Sequence, residues 1–266
     1  MPAGADDAAL YFHRLALFHE DMHAEAFAWL RATLGFAAPR GLELRRVGPR
    51  AVVHMEGGDV CLGASAGGFA FDNEQPAQHV EVAPFAIDVA PVRAGDFLRF
   101  VEAGGYDAPA HWPGEAGAWR ARCGRDLPER WRRRGSHWEA RWFDRWQPLD
   151  PDQPAIHVNA WEAEAYCRWA GRRLPTAAQW EHAARASAMD WGHGVWEWTC
   201  DPFLPRPGFA PGPYRDYSAP WFGDHRELRG GSFATHARMH DARYRNFFLP
   251  DRCDVFAGFR TVATVS

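Results

Sequence analysis

Two histidines and a glutamate near the amino terminus have the spacing of a metal site. His19 and His23 are four positions apart, and Glu25 follows two positions later. On a helix, residues i and i+4 lie about 40° apart around the axis, so both imidazoles can bind one metal ion. Glu25 could then accept a ring N–H from one ligand, a role that Glu20 could also fill. The alternative interpretation is a pair of partly exposed histidines on an amphipathic helix.

The same segment fits the zinc-peptidase pattern HExxH, in which Glu20 would be the general base. The extended form of that pattern requires glycine at position 26 and histidine at position 29, where this chain has Ala26 and Trp29. A zinc peptidase therefore remains an alternative, and it predicts loss of peptide cleavage in Glu20→Gln.

A long helix must carry these side chains. Residues 6–34 contain neither proline nor glycine, and apolar residues recur at helical spacing. The apolar arc is broad, which is typical of a helix buried among several neighbours. Few residues precede it, so we expect its partners from the C-terminal part, from another subunit or from sequence outside this chain. Residues 38–41 are predicted to form a linker.

Beyond the linker, short alternating runs bounded by glycine and proline predict strands. They lie at residues 51–54, 59–62, 79–82, 85–89 and 137–143. Three short helices are predicted: residues 93–103, a helix opened by a capping box at Asn159 and Glu162, and another opened at Thr176 and Gln179. The arginine-rich run 130–134 is interpreted as solvated surface.

Composition excludes several classes of function. All 30 basic residues among the 266 are arginine, so Schiff-base and P-loop lysine chemistry are excluded. A net charge of −4 provides no general attraction to nucleic acid or to anionic membranes, and we predict neither as a partner. The five scattered cysteines, with no CxxC pair, and the lack of a leader or spanning segment predict a cytoplasmic protein. The oligomeric state is left open.

Six motifs occur in order in the C-terminal two thirds of the chain. They lie at residues 154–161, 164–176, 180–185, 194–199 (GVWEWT), 228–233 (LRGGSF) and 258–260. Together they closely resemble the formylglycine-generating-enzyme-like, or sulfatase-modifying factor, domain over residues 41–265. This resemblance implies an α+β, C-type-lectin-like and loop-rich fold.

Within that resemblance, one branch fits best. The formylglycine-generating enzyme itself needs a pair of cysteines near its C-terminus, where this chain offers Cys253 alone. The tail at residues 207–222 and 243–252, combined with the HxxxHxE pattern, resembles the ergothioneine-type sulfoxide synthases and the related selenoneine synthases. That family implies non-haem iron(II) and O₂, which join a thiol or a selenium donor to the imidazole of hercynine, the trimethylbetaine of histidine.

The same resemblance implies two domains. Residues 1–38 correspond to the C-terminal helix of a DinB-like domain, and residues 39–266 to the formylglycine-generating-enzyme-like domain. The family's first iron-ligating histidine lies on an earlier DinB helix, and His13 is a poor substitute because it lies about 240° around the helix from His19. We therefore expect either a truncated start or loss of the third ligand.

The family's motif also assigns roles to single residues. His19 and His23 correspond to iron ligands, and Glu25 to a supporting carboxylate. Asn246 corresponds to an asparagine near the hercynine carboxylate or ammonium, and Arg252 to an arginine that holds a carboxylate of the sulfur substrate.

Three further aromatic positions bear on the chemistry. Phe248 stands where members that use γ-glutamylcysteine carry an acidic residue, which favours cysteine or a selenium sugar as the donor. Tyr214 and Tyr217 could donate a proton in a pocket, or they could simply pack against neighbouring loop aromatics. His236 and His240 are interpreted as surface or pocket-rim residues. The rival of another class is a non-catalytic lectin-like binding module, or a truncated and inactive synthase.

Overall fold

One long helix packs against a domain of short strands and helices joined by long loops. The computed structural model describes residues 7–65 and 67–264. Asp6, where the predicted helix begins, lies outside the described residues. Within them the α-helices are α1 (Asp7–Leu34), α2 (Ala94–Glu102), α3 (Glu115–Cys123), α4 (Ala160–Trp169) and α5 (Ala177–Arg185). The strands are β1 (Val52–Met55), β2 (Gly58–Leu62), β3 (Gln78–Val82), β4 (Phe85–Asp88), β5 (Trp131–Arg134), β6 (His137–Trp142), β7 (Arg145–Pro148), β8 (Arg172–Arg173), β9 (Trp196–Pro202), β10 (Arg226–Arg229), β11 (Asn246–Phe248), β12 (Ala257–Gly258) and β13 (Val262–Ala263).

The strands form small sheets rather than one continuous sheet. Two of them have four strands, in the orders β1-β4-β13-β8 and β11-β10-β9-β12, while β2-β3 and β5-β6-β7 form separate units. In the second four-stranded sheet β10 lies between β9 and β11, with Leu228 opposite both Trp198 and Asn246. This sheet therefore carries Asn246 on its outer strand β11.

Local sequence signals determine where α4 and α5 begin. The Asn159 side chain accepts a hydrogen bond from the Glu162 backbone N–H (2.8 Å), and the Glu162 carboxylate accepts from the Asn159 N–H (3.0 Å). Thr176 and Gln179 form the same reciprocal pair at α5. Both predicted capping boxes are confirmed, whereas α3 was not predicted.

The domain core is aromatic and contains a buried ion pair. The rings of Phe97 and Tyr166 stack at 5.6 Å, which joins α2 to α4. Trp180 donates its indole N–H to Glu197 (2.7 Å), and the Glu197 carboxylate also pairs with the fully buried Arg260. A buried charge is tolerated only when it is paired in this way, so these three side chains tie α5, β9 and the C-terminal segment together.

Helix α1 packs on the domain along one face. Leu15, Ala28 and Ala32 are buried, and Phe18 stacks on Phe69 at 4.9 Å. The rest of the helix surface carries exposed large apolar side chains: Phe12, Leu17, Phe27, Leu30 and Leu34. Within the described residues the C-terminal domain covers one face of this helix, and partners from another subunit or from sequence outside this chain remain a prediction.

One arginine of the run 130–134 also departs from expectation. Arg130 is 4% exposed and donates to the Thr33 hydroxyl of α1 (3.0 Å). Burial lowers the pKa of its guanidinium to about 10. The solvated interpretation is correct for Arg133 and Arg134, which are exposed, and wrong for Arg130.

Among the described residues, no helix has the length and apolar character needed to cross a bilayer.

Candidate active site

A cavity of about 280 Å³ lies between α1 and the sheet that contains β11. Its walls are His19, Met22, His23, Glu25, Ala26, Trp29, Trp196, Tyr217, Met239, Tyr244, Asn246, Phe247, Phe248 and Val255. Most of these side chains are apolar or aromatic, and the polar ones are few. This composition is typical of a small-molecule site, in which a few polar groups orient a ligand against apolar walls.

The two predicted histidines line this cavity together. The ring centroids of His19 and His23 are 4.3 Å apart, as expected for i and i+4 positions on α1. In residues 7–65 and 67–264, no group of three or more histidine, cysteine or acidic side chains is arranged to hold a metal. The described chain thus offers two neighbouring imidazoles and no complete ligand set.

Glu25 fastens α1 to the domain. Its buried carboxylate accepts hydrogen bonds from the Trp196 indole (2.8 Å), the Ser232 hydroxyl (2.5 Å) and the Thr235 hydroxyl (2.6 Å). Burial raises the pKa of Glu25, and the three donors oppose that shift. The partners of Glu25 in the structure are therefore these three groups of the domain, and through them it fixes the position of the histidine-bearing turn.

Glu20, the base required by the zinc-peptidase alternative, is exposed and is not among the residues that line the cavity. A zinc peptidase would need this base on the cavity wall beside the metal, so the position of Glu20 argues against that alternative.

The two candidate tyrosines occupy different environments. Tyr217 lines the cavity, stacks on Phe71 at 4.7 Å and has its hydroxyl 3.4 Å from that of Tyr244. Burial raises the pKa of Tyr217 well above its usual value, and Tyr244 adds to the shift. Tyr214 is 42% exposed and is not among the cavity-lining residues. The structure places Tyr217, and not Tyr214, on the wall of the cavity that the two histidines line.

Strand β11 places two predicted substrate contacts on the cavity wall. Asn246 and Phe248 both line it. The Asn246 side-chain oxygen accepts the backbone N–H of Phe247 (2.9 Å), which leaves the amide NH₂ as the donor for a ligand.

Arg252 is not among the residues that line the cavity. Its guanidinium is bidentate to Asp254 (2.5 and 2.7 Å) and lies over the rings of Trp29 and Phe248, at 5.2 and 5.1 Å from their centroids. It is therefore already paired within the chain, and it supports two aromatic residues that line the cavity.

Several wall residues were missed by sequence reasoning. Trp196, which the motif at residues 194–199 contains without a predicted role in the site, is buried, lines the cavity and donates its indole N–H to Glu25. Tyr244 and Met239 carried no signal because nothing in their local sequence indicates which loop they face. The predicted rim residue His236 is exposed and accepts a hydrogen bond from Arg238, while His240 contacts the His193 ring at 5.2 Å.

Comparison with known proteins identifies the domain. Residues 43–194 and 187–265 match the family described as the sulfatase-modifying factor enzyme 1-like domain. The chain belongs to this family. The predicted formylglycine-generating-enzyme-like domain is thereby confirmed.

Relatives within and around the family extend the comparison. The hercynine oxygenase of Mycolicibacterium thermoresistibile is 34% identical over 241 residues, which cover 72% of this chain and 53% of that protein. The hercynine oxygenase of Mycobacterium tuberculosis is 35% identical over 71% of this chain and 55% of its own length. The formylglycine-generating enzyme of Streptomyces coelicolor is 29% identical, with 84% and 92% covered. The chain therefore spans about half the length of these two hercynine oxygenases.

A solved structure supports the fold. PvdO from Pseudomonas aeruginosa superposes with a TM-score of 0.56 at 19% identity, covering 80% of this chain and 94% of that one. At this identity the likeness shows the fold alone. It confirms a mixed, loop-rich α and β architecture for this sulfatase-modifying factor domain.

The cysteines of this sulfatase-modifying factor domain are all free thiols. Cys253 is 5% exposed, and its sulfur accepts a hydrogen bond from Arg125 (3.2 Å). Burial raises the pKa of this thiol, so it is protonated at neutral pH. Cys253 is not among the cavity-lining residues, and we infer that its role is structural.

Proposed function

We propose that this protein is a non-haem iron(II)- and O₂-dependent oxidoreductase that joins sulfur or selenium to the imidazole ring of hercynine. The observation that carries the proposal is the His19 and His23 pair on the wall of an aromatic cavity of amino-acid size. Relatives named hercynine oxygenase, at 34 and 35% identity, support the choice of substrate.

The donor set fits iron as part of a larger site. Imidazole nitrogen is a ligand that iron, zinc and copper accept in proteins. His19 and His23 would hold the metal on one face, with a third ligand from outside the described residues, as the assignment of residues 1–38 to a DinB-like unit implies. When bound, iron(II) would supply the redox chemistry that couples O₂ to bond formation. Glu25 keeps the turn bearing both histidines against the domain.

The aromatic walls suit a trimethylammonium group. Such a cation has no N–H to donate, so proteins recognise it through the faces of aromatic rings. Trp29, Trp196, Tyr244 and Phe248 all line the cavity. The Asn246 amide NH₂ would donate to the hercynine carboxylate, and the imidazole of the substrate would then point toward His19 and His23.

Tyr217 is the proposed proton donor. A phenol is protonated at neutral pH, so Tyr217 can donate a proton to a stronger base while its ring stays stacked on Phe71. The hydroxyl of Tyr244, 3.4 Å away, limits where that of Tyr217 can point.

The sulfur or selenium donor would approach from the side of Phe248 and Arg252. The pair with Asp254 uses the Nε and Nη2 atoms of Arg252, so Nη1 is the atom that would contact a donor carboxylate. The apolar ring of Phe248 favours cysteine or a selenium sugar over γ-glutamylcysteine.

A binding comparison tests the substrate directly. We expect tryptophan fluorescence titration to give an affinity for hercynine at least about tenfold higher than for histidine, because histidine lacks the methyl groups that contact the rings. Trp29→Ala should abolish most of this preference. Equal affinities for the two ligands would contradict the proposal.

The second candidate function is a non-catalytic hercynine-binding module. The absence of a complete metal-ligand set among the described residues favours it. It predicts the same preference for hercynine over histidine with no dependence on iron and no product.

A further inference from the structure

The exposed face of α1 carries a regular stripe that no described part of the chain covers. Its residues are spaced alternately by three and four positions, and all are exposed: Leu17, Glu20, Ala24, Phe27, Arg31 and Leu34. Alternating spacings of three and four are the pattern of a coiled-coil seam, in which one helix packs along another. Phe27 and Leu34 are 63 and 61% exposed. The stripe therefore has the geometry of a helix-docking surface, which we call the α1 seam.

The α1 seam is complementary to itself in the antiparallel direction. When two copies pair about an axis near residues 25 and 26, position 17 meets 34, position 20 meets 31 and position 24 meets 27. These pairs join Leu17 to Leu34, Glu20 to Arg31 and Ala24 to Phe27. The first is apolar with apolar, the second has opposite charges, and the third sets a small side chain against a large one.

We propose that a second copy of this chain docks on the α1 seam, so that two α1 helices pack antiparallel about a twofold axis. A twofold interface requires one surface patch to match itself, and the α1 seam does so at all six positions. The contact would run for about 27 Å, the length of 18 helical residues. It would cover an apolar face that a soluble chain otherwise leaves in water.

The docked side of α1 does not obstruct this pairing. Leu15 and Glu25 are buried against the domain on the side of the helix away from the α1 seam, whereas the buried Ala28 lies one turn from Ala24, at the edge of the seam. Arg31 donates one hydrogen bond to the Ala37 carbonyl of its own chain (2.9 Å) through Nη2. Its other nitrogen atoms are left to reach Glu20 of the partner. This proposal requires neither metal nor substrate, so it can fail or hold independently of the proposed function.

Sedimentation equilibrium of the full chain across a wide concentration range is the test. We expect a monomer–dimer equilibrium. Glu20→Arg and Arg31→Glu should each raise the dimer dissociation constant about tenfold, because each turns two ion pairs into two like-charge contacts. The double variant Glu20→Arg/Arg31→Glu should restore the wild-type dissociation constant.

Controls separate the seam from general charge effects. Glu81→Arg on β3 and Arg133→Glu on β5 make the same charge changes at exposed positions elsewhere, and should leave the dimer unchanged. Phe27→Ser supplies a second test, with circular dichroism to check folding, and should also weaken the dimer. A monomer at every concentration, or a dimer that the charge swap neither weakens nor restores, would overturn the proposal. If a helix from a longer form of the protein covers the α1 seam instead, the protein will be a monomer at every concentration.

Discussion

Replacing Glu25 by alanine should loosen α1 without unfolding the domain. The carboxylate accepts hydrogen bonds from Trp196, Ser232 and Thr235 at 2.5–2.8 Å. In the variant, the Ser232 and Thr235 hydroxyls can still bond to each other, since their oxygen atoms already lie 3.3 Å apart. The Trp196 indole N–H would be left buried without a partner, next to a new cavity.

The expected loss is about 2–4 kcal/mol, from one orphaned donor and the lost charged hydrogen bonds. That is enough to matter for one helix, because the ion pair of Asp21 on α1 with Arg238 (3.1 Å) lies nearer the surface and contributes little. Amide exchange of α1 should therefore speed up by roughly 30- to 1,000-fold, since about 1.4 kcal/mol corresponds to a factor of ten. Exchange in α4 and α5 should remain close to wild type.

Hydrogen exchange read by mass spectrometry measures α1 and the domain in the same sample. His13→Ala is the control, because it changes an exposed polar residue on the same helix and should shift exchange little. Glu25→Gln should fall between the two, since its amide keeps an acceptor and the side-chain volume. If α1 in Glu25→Ala exchanges as slowly as in the wild type, the assignment of Glu25 as the fastener of this helix is refuted.

Three other outcomes are expected. Tyr217→Phe should keep hercynine affinity within about threefold but lower turnover by roughly 10²–10⁴-fold, which is the usual contribution of a proton donor. Unchanged turnover would remove Tyr217 from the mechanism. Trp29→Ala should lower hercynine affinity about tenfold in calorimetry while histidine affinity stays constant, and a parallel drop for both ligands would argue against cation–π recognition. Burial, together with the nearby Asp241, raises the pKa of Glu74 from 4.5 to about 8. Between pH 4.5 and 8 this carboxyl is ionised in the unfolded chain and neutral in the folded chain, so the free energy of unfolding falls as the pH rises. Glu74→Gln should remove this slope, on the order of 3–5 kcal/mol in urea unfolding at pH 5 and 8, and identical slopes would contradict the neutral state of Glu74.

Local signals made part of the structure predictable. The capping boxes at Asn159 and Thr176 depend on residues three positions apart, so the sequence contains both partners. The His19 and His23 pair was predictable for the same reason, because helical geometry alone brings i and i+4 together. In contrast, α3 lacks a capping side chain and carries Gly117 in its interior. Neither a capping box nor an uninterrupted helical pattern therefore predicts this helix.

Long-range contacts account for what was missed. Arg130 looked like part of a solvated run, and only the docking of α1 buries it beside Thr33. Tyr244 meets Tyr217 across 27 positions of sequence, and Trp196 meets Glu25 across 171. No periodicity encodes such pairs. The resemblance to the family indicated more candidate site residues than spacing alone could. It did not indicate that Arg252 forms an ion pair with Asp254.

Product formation tests the central claim most directly. The full-length protein, purified without oxygen and supplied with iron(II) and hercynine, is exposed to O₂ with cysteine or a selenium sugar, and the products are read by mass spectrometry. The account predicts an adduct that contains hercynine and the donor's sulfur or selenium, formed by the wild type and absent in His19→Ala/His23→Ala. Folded wild-type protein that binds iron and hercynine but forms no adduct, or an adduct that persists in the double variant, would contradict it.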